Sequence, residues 1–317
     1  MATNTIPSPV RDDVLDHPLR ATTNKQKQSP PVVLIKHHGR LGNQLFTFGH
    51  LIAHSVETGA HIFNPAFHRY GKYFLGSTRD PLCRVPQRTG RLTSLIPTST
   101  QIWLNRQIHS LAKRMPNIFS VIQCGREIIL LDELNDPFPS NRCFFTLIGD
   151  HFRSSHHNEF AVRAIRNYLQ PIEVHQANIH LLVNELRATK PLLIGVHIRQ
   201  GDFRDFAGGT FLRSPHDFAK IMKDVLALFT QHHVYFLICS DESIDHDLFS
   251  QFDYRTGTGH LVEDLYALAA TDYLIGSPGS TFSKWASFYG ETPLYCVDDT
   301  THRPSIDDFQ IALSSDY

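Results

Sequence analysis

The sequence predicts an α/β protein with parallel sheets, and three observations carry that expectation. Apolar runs at Leu192–Ile198, Val234–Ile238, Tyr273–Ile275 and Leu294–Val297 are separated by helix-length intervals. Such strand and helix succession implies a parallel sheet with helices on both faces. Pro191-Leu192-Leu193-Ile194 is apolar without alternation, as suits a strand covered on both sides. Finally, 317 residues with 41% hydrophobic and 19% charged content can bury a large core, enough for about two domains of roughly 150 residues each.

Composition excludes several classes. With 30 basic and 31 acidic residues the formal charge is -1, so nothing global attracts nucleic acid or an acidic membrane. Any phosphate affinity must be local. Cys83, Cys124, Cys143, Cys239 and Cys296 contain no Cys-x-x-Cys pair, which argues for reduced thiols and against a disulfide framework or thiolate metal site. The 20 histidines include His37-His38, His156-His157 and His232-His233, but adjacent side chains on a strand point to opposite faces. There is no His-Glu-x-x-His frame, so no functional metal is expected. No apolar stretch approaches roughly twenty residues, so no transmembrane segment is expected. A cytoplasmic protein follows, compatible with peripheral contact at the inner face of the membrane.

The elements follow in order. Residues 1–30 combine Pro, Ser, Thr and Asn with mixed charge and read as a disordered tail. Val32-Val33-Leu34-Ile35 is a strand, Gly39-Arg40-Leu41-Gly42-Asn43-Gln44 a glycine turn, and Leu45 to about His54 a helix. The glycines permit tight turning and close approach of a ligand, while the helix-start amides favour an anion or a sugar. An ordinary strand-to-helix turn fits the same residues. From Phe67 to Cys143 prolines interrupt the pattern, and only Leu95–Met115 offers a helix-forming interval. Phe144–Ile148 is a strand that ends in Gly149-Asp150-His151-Phe152 and precedes a helix from Glu159 to Tyr168. The domain boundary falls near Pro171, giving domains of 31–172 and 173–317.

In the second domain the strand Leu192–Ile198 runs into His197-Ile198-Arg199-Gln200-Gly201-Asp202, which delivers an imidazole, a guanidinium and a carboxylate at a strand end. Open α/β sheets place ligands at such ends. A helix from Pro215 to Gln231 follows, with Ser214 as N-cap and proline at the first helical position. Then come the strand Val234–Ile238, Cys239-Ser240-Asp241, a helix at Glu263–Ala270, the strand Tyr273–Ile275, a helix beginning near Ser280 and the strand Leu294–Val297. Between the strand Tyr273–Ile275 and the helix near Ser280, Gly276-Ser277-Pro278-Gly279-Ser280-Thr281-Phe282-Ser283 offers hydroxyls and unpaired N–H groups to a phosphate oxygen. Simple capping by Ser280 or Thr281 is the alternative.

Taken together, Gly-x-Leu-Gly-Asn-Gln at 39–44, His-x-Arg-x-Gly-Asp at 197–202 and Ser-Thr-Phe-Ser at 280–283 resemble the alpha-1,2-fucosyltransferases, glycosyltransferase family 11. The similarity is collinear and extends through Gly149–Phe152, Ser240-Asp241 and Glu263–Leu268. It implies a GT-B type fold, two Rossmann-like domains facing a cleft, with GDP-fucose as donor, a glycan ending in galactose as acceptor, and no metal or other cofactor.

Carried over by that resemblance, Arg199 contacts the donor pyrophosphate with His197 and Asp202 beside it. Ser240, Asp241, Asp264, Gly279, Ser280, Thr281 and Phe282 complete the donor side. Gly42, Asn43 and Gln44 form a loop on the other side of the cleft, with Asp150 and His151 toward the acceptor. Three departures stand out: Gln200 replaces the second arginine of many relatives, Arg40 replaces a small residue, and Lys284 precedes Trp285 where two aromatics are frequent. A different fucose linkage, a silent nucleotide-sugar binder and a hydrolase using the aspartates and histidines remain as rival readings.

Overall fold

The computed structural model describes residues 31–313 except 38, 81, 88–99, 126, 136–143, 156, 190 and most of 101–117. The expected tail at 1–30, most of the interval Leu95–Met115, and His38, Cys143 and His156 lie outside the described residues. The chain divides into two compact units, with the break between Ile172 and Glu173.

In the N-terminal unit, β1 (Val32–Lys36) leads into α1 (Leu41–Thr58). Then follow β2 (Ile62–Phe63), α2 (His68–Gly71), β3 (Arg84–Val85), β4 (Phe119–Gln123), β5 (Ile129–Leu130), β6 (Phe144–Ile148), β7 (Phe152–Arg153) and α3 (Glu159–Tyr168). One sheet has the order β3-β2-β1-β6-β4 and is parallel apart from β3. The apolar run Val32–Ile35 is buried throughout, which puts β1 at the sheet centre.

Helix α1 starts four residues before the expected Leu45, so Gly42, Asn43 and Gln44 form its first turn and not a loop. Arg40 is extended at the N-cap, and Leu41, Leu45, Phe46, Phe48, Leu51 and Ile52 are buried. That burial outweighs the low helix propensity of glycine and asparagine.

The C-terminal unit contains α4 (Glu173–Leu186), β8 (Leu192–Ile198), α5 (Pro215–Leu226), β9 (Val234–Ser240), α6 (His246–Phe249) and β10 (Tyr254–Thr256). After these come α7 (Leu261–Leu268), β11 (Tyr273–Gly276), α8 (Thr281–Gly290) and β12 (Leu294–Cys296). Its sheet has the order β10-β9-β8-β11-β12 with every pair parallel. Counted from β8 along the chain, this is the doubly wound order of dinucleotide-binding sheets. The order reverses between β8 and β11, so their carboxyl ends flank the crevice where such sheets bind ligands.

On one sheet face Ile194, Val196, Ile198, Phe236 and Ile238 pack against Phe218, Ile221, Met222 and Val225 of α5. The expected start of α5 is present: the Ser214 hydroxyl accepts from Asp217 N, and the Asp217 carboxylate accepts from Ser214 N at 2.8 Å. The helix ends at Leu226 and not at Gln231. Leu228 N and Phe229 N donate to carbonyls three residues back, tightening the final turn and turning Phe229 into the core. Helix α4 was unforeseen, although its buried Ile179, Leu182, Val183 and Leu186 keep helical spacing. Helix α7 begins two residues before Glu263, capped by His260. Among the described residues no helix is long and apolar enough to cross a membrane.

Candidate functional site

The switch point of the C-terminal sheet gathers His197 and Arg199 from the end of β8, Ser277 from the exit of β11, and Ser280 at the start of α8. In the ladder His197 stands opposite Gly276. Past that pair the strands remain tied, because Arg199 N donates to Ser277 Oγ at 2.8 Å and the same hydroxyl donates to His197 O at 3.2 Å. A fully buried serine thus satisfies backbone groups where the ladder ends.

The Arg199 guanidinium is gripped on one edge. Its Nε donates to Asp202 Oδ1 at 3.0 Å and its Nη2 to Oδ2 at 2.9 Å, and its central carbon lies 4.9 Å from the Phe203 ring centroid. The arginine side chain is 13% exposed and Asp202 40%. A guanidinium has two hydrogen-bonding edges. Asp202 takes the Nε edge, and the Nη1 edge has no bond among the described residues. Held by a carboxylate at one side and a ring at one face, that edge is pre-oriented for an oxyanion.

His197 has a different situation. Its Nδ1 lies 2.8 Å from Ser283 Oγ and 3.5 Å from Ser280 Oγ, and its ring stacks on Phe282 with centroids 4.6 Å apart. Burial, and then the neighbouring Arg199 charge, push its pKa down to about 3. The imidazole is therefore neutral at neutral pH and fixes the start of α8, a positioning part distinct from proton transfer. Gly276 makes this packing possible, since a Cβ there would lie 2.6 Å from Ser283 Oγ.

Ser280 caps α8, its hydroxyl accepting from Ser283 N at 3.4 Å, so Thr281 and Phe282 occupy the first turn. First-turn N–H groups lack intrahelical partners and carry positive partial charge. Gly279 (φ +62) lies so close to Phe211 that a Cβ would be 3.1 Å from the ring.

The remaining residues expected on the donor side hold loops. Gln200 is buried; its N–H donates to Asp241 Oδ1 at 2.8 Å and its amide Nε2 to Arg213 O. The residue in place of a second arginine therefore points into the 210–213 segment. Ser240 Oγ accepts from Glu242 N at 3.2 Å at the end of β9. Asp264 accepts from Thr258 N at 2.7 Å and Gly259 N at 3.2 Å, shaping the loop after β10. Burial raises its pKa against the pull of those donors.

In the N-terminal unit the opening motif and the Gly149–Phe152 segment come together, which their separate reading did not anticipate. Gly149 N donates to Lys36 O at 3.0 Å, and the Thr47 hydroxyl of α1 donates to Asp150 O at 2.9 Å. Gln44 Nε2 donates back to Gly39 O at 3.1 Å. Asp150 is buried, and His151 Nδ1 lies 3.1 Å from its Oδ1.

The histidine pairs weighed from sequence are adjacent ones, and the fold brings together a trio from separate parts of the chain. His175, His260 and Glu263 each bring a potential ligand atom within 4.8 Å of the others. Glu263 Oε1 lies 2.8 Å from His175 Nδ1 and accepts from Asn178 Nδ2 at 2.7 Å, while the two imidazoles stack at 4.4 Å. Burial acts to raise the Glu263 carboxyl, but the donors Asn178, His175 and Thr258 outweigh it and hold it below its usual value. The trio clasps α4 to α7.

Sequence reading grouped Ser277 and Ser283 with the hydroxyls offered to a phosphate, whereas both are fully buried and bond to His197 and the Arg199 backbone instead. It passed over Phe203, Phe206 and Phe211, whose rings form one cluster beside Arg199.

No protein-family model matches the chain, and no curated protein matches it in sequence. Solved structures match it in fold. A mutant of FUT1 from Arabidopsis thaliana in complex with GDP aligns with a TM-score of 0.55 at 12% identity, over 89% of this chain and 73% of that one. NodZ, an alpha-1,6-fucosyltransferase co-crystallized with GDP, aligns with a TM-score of 0.52 at 17% identity, over 86% and 97%; NodZ from Bradyrhizobium is also among the matches. NodZ soaked with GDP-fucose gives 0.51 at 16%, over 89% and 97%. Such likeness establishes architecture: the fold is of the GT-B type, built from two Rossmann-like α/β units.

Proposed function

We propose that this chain is a glycosyltransferase that moves L-fucose from GDP-fucose to a sugar hydroxyl, with a galactoside acceptor and alpha-1,2 linkage as the specific reading. The observation that carries it is the open edge of Arg199 beside the start of α8, at the switch point of a Rossmann-ordered sheet. The fold neighbours FUT1 and NodZ hold GDP in their crystals. The linkage and acceptor rest on the collinear motifs that resemble the alpha-1,2 family.

In the reaction an acceptor oxygen attacks the anomeric carbon from the face opposite the diphosphate, which inverts that centre. The new carbon–oxygen bond forms as the bond to the β-phosphate oxygen breaks; the acceptor proton passes to a base, and GDP departs with one more negative charge. Arg199 stabilises that developing charge through its Nη1 edge, and the first-turn amides of α8 add a second set of donors. These fixed donors supply the charge stabilisation that a metal would otherwise provide, so the reaction proceeds without one. Neutral, buried His197 holds the helix in place. Asp150 and His151 are the candidate acceptor-side pair, with Asp150 as the proton acceptor.

The test is release of GDP from a panel of nucleotide sugars, with and without terminal galactosides, in the presence of a chelator. We expect GDP-fucose to be consumed only when acceptor is present and at an undiminished rate in chelator. Strict dependence on a divalent ion refutes the metal-free mechanism. Release without acceptor supports a hydrolase, and GDP binding without release supports a silent binder.

A further inference from the structure

The segment 201–213 covers the carboxyl end of β8 with three phenylalanines whose rings touch one another. Centroids are 5.9 Å apart for Phe203 and Phe206, 5.8 Å for Phe206 and Phe211, and 6.0 Å for Phe203 and Phe211. Phe203 is buried beneath the Arg199 guanidinium, and Phe211 rests on Gly279 at the approach to α8. The cluster is therefore bracketed by the two anion-binding elements of the site. Phe206 completes it and is 56% exposed.

The segment is held stiffly. Arg213 donates to four carbonyls: Leu212 O at 2.8 Å, Thr210 O at 3.0 Å, Val297 O at 2.9 Å and Asp298 O at 2.6 Å. Gln200 Nε2 donates to Arg213 O, and Arg204 pairs with Glu242. Ala207 is kept at φ 50, a left-handed conformation unfavourable for a residue with a Cβ. Backbone strain of this kind persists where the surroundings over-determine it, and it clusters at ligand sites. Here it holds a large aromatic face open to solvent beside a cation.

We propose that Phe206, supported by Phe203 and Phe211, is the seat for the apolar side of the donor's 6-deoxyhexosyl group. The inference rests on the reading of Arg199 and α8 as the diphosphate site. The hexosyl group hangs directly on the distal phosphate, so it falls within a few ångströms of the group that binds that phosphate. At that distance from Arg199 the structure offers the phenylalanine cluster. A 6-deoxy sugar carries a methyl group where ordinary hexoses carry a hydroxymethyl group, and it is the methyl that gains from an aromatic wall. A hydrophobic site discriminates against an added hydroxyl by a factor of roughly a hundred or less.

The experiment compares wild type, Phe206→Ala and Phe206→Leu with GDP-fucose and with its 6-hydroxy analogue GDP-L-galactose, and measures the Kd of GDP by calorimetry. We expect wild type to favour the 6-deoxy donor and Phe206→Ala to lower kcat/KM for GDP-fucose roughly tenfold. The ratio between donors should narrow in that variant, GDP affinity should stay within about twofold, and Phe206→Leu should restore most of the preference. Equal losses on both donors, no loss, or a change confined to the KM of the acceptor overturns the assignment. Absence of GDP binding by the wild type would instead overturn the underlying diphosphate site, and this inference with it.

Discussion

Replacing Asp202 by asparagine separates orientation from charge stabilisation at the site. Asp202 grips the Nε edge of Arg199 with two bonds at 3.0 and 2.9 Å, and the proposed mechanism links it to the diphosphate through that arginine. With Asp202 40% exposed, the ion pair contributes no more than about 1 kcal/mol to folding, so Asp202→Asn should shift the melting temperature by only a few degrees.

Its kinetic effect should be larger. Removing a charge-stabilising donor costs about 2.7–4 kcal/mol, or roughly a hundredfold to a thousandfold, and that is the expectation for Arg199→Ala. Asparagine keeps one acceptor and loses the charge and the matched fork, so Asp202→Asn should lose part of that amount, about 1–1.5 kcal/mol or roughly tenfold in kcat/KM. Because Asp202 acts through Arg199, adding Asp202→Asn to Arg199→Ala should change little more. A double-mutant cycle on GDP release, with folding checked by circular dichroism, gives the answer. Losses that multiply in the double variant would show that Asp202 acts independently of the arginine, and the orientation argument would fail. Near-normal turnover in folded Arg199→Ala would remove the arginine from the reaction altogether.

Other expectations follow from the same geometry. His197 titrates near 3 when folded and near 6.5 when unfolded, so the unfolded chain binds the extra proton between those values and stability falls as the pH drops through that window. Compared with His197→Asn by urea denaturation, wild type should lose on the order of 2 kcal/mol of its advantage between pH 7 and pH 5; a constant difference would mean that the folded ring takes up protons freely. Gly276→Ala drives a methyl to within 2.6 Å of Ser283 Oγ and should cost about 1–3 kcal/mol, together with weaker GDP binding as α8 shifts. Unchanged melting and GDP affinity would show that the His197–Ser283 contact does not set the position of that helix.

The parts legible in the sequence are those written in local pattern. Leu192–Ile198 and Val234–Ile238 are strands buried on both faces, so continuous apolar runs mark them, and Ser214-Pro215 marks α5 by cap chemistry. Arg199 and Ser280 announce themselves because each stands at the end of such an element. What could not be read depends on chain separation or on burial overriding propensity. Ser277 matters through its bonds to Arg199 N and His197 O, almost eighty residues away, and no local rule links them. Gly42 and Asn43 look like a loop by propensity, yet the buried Leu41, Leu45 and Phe46 draw them into α1. Phe203, Phe206 and Phe211 are spaced irregularly among charged residues and glycines, so no periodicity tells that Phe203 is buried and Phe206 exposed.

The two units repeat one device with opposite chemistry. In each, a central parallel strand ends in a turn whose neighbour strand contributes a second loop: β8 with β11, and β1 with β6. At the first of these edges stand the Nη1 side of Arg199 and a helix start, a set of donors suited to a group carrying negative charge. At the second stand the Gln44 amide, the buried Asp150 carboxylate and His151, a set that can accept a proton and hydrogen-bond a neutral polyol but has little to offer a diphosphate. A transferase needs both kinds of edge, because its donor loses an anion while its acceptor loses a proton. A protein that only stores a nucleotide sugar would need the first alone. Loss of transfer with retained GDP affinity in Asp150→Asn would therefore tie the second edge to the reaction, whereas full activity in that variant would leave the acceptor-side assignment without support.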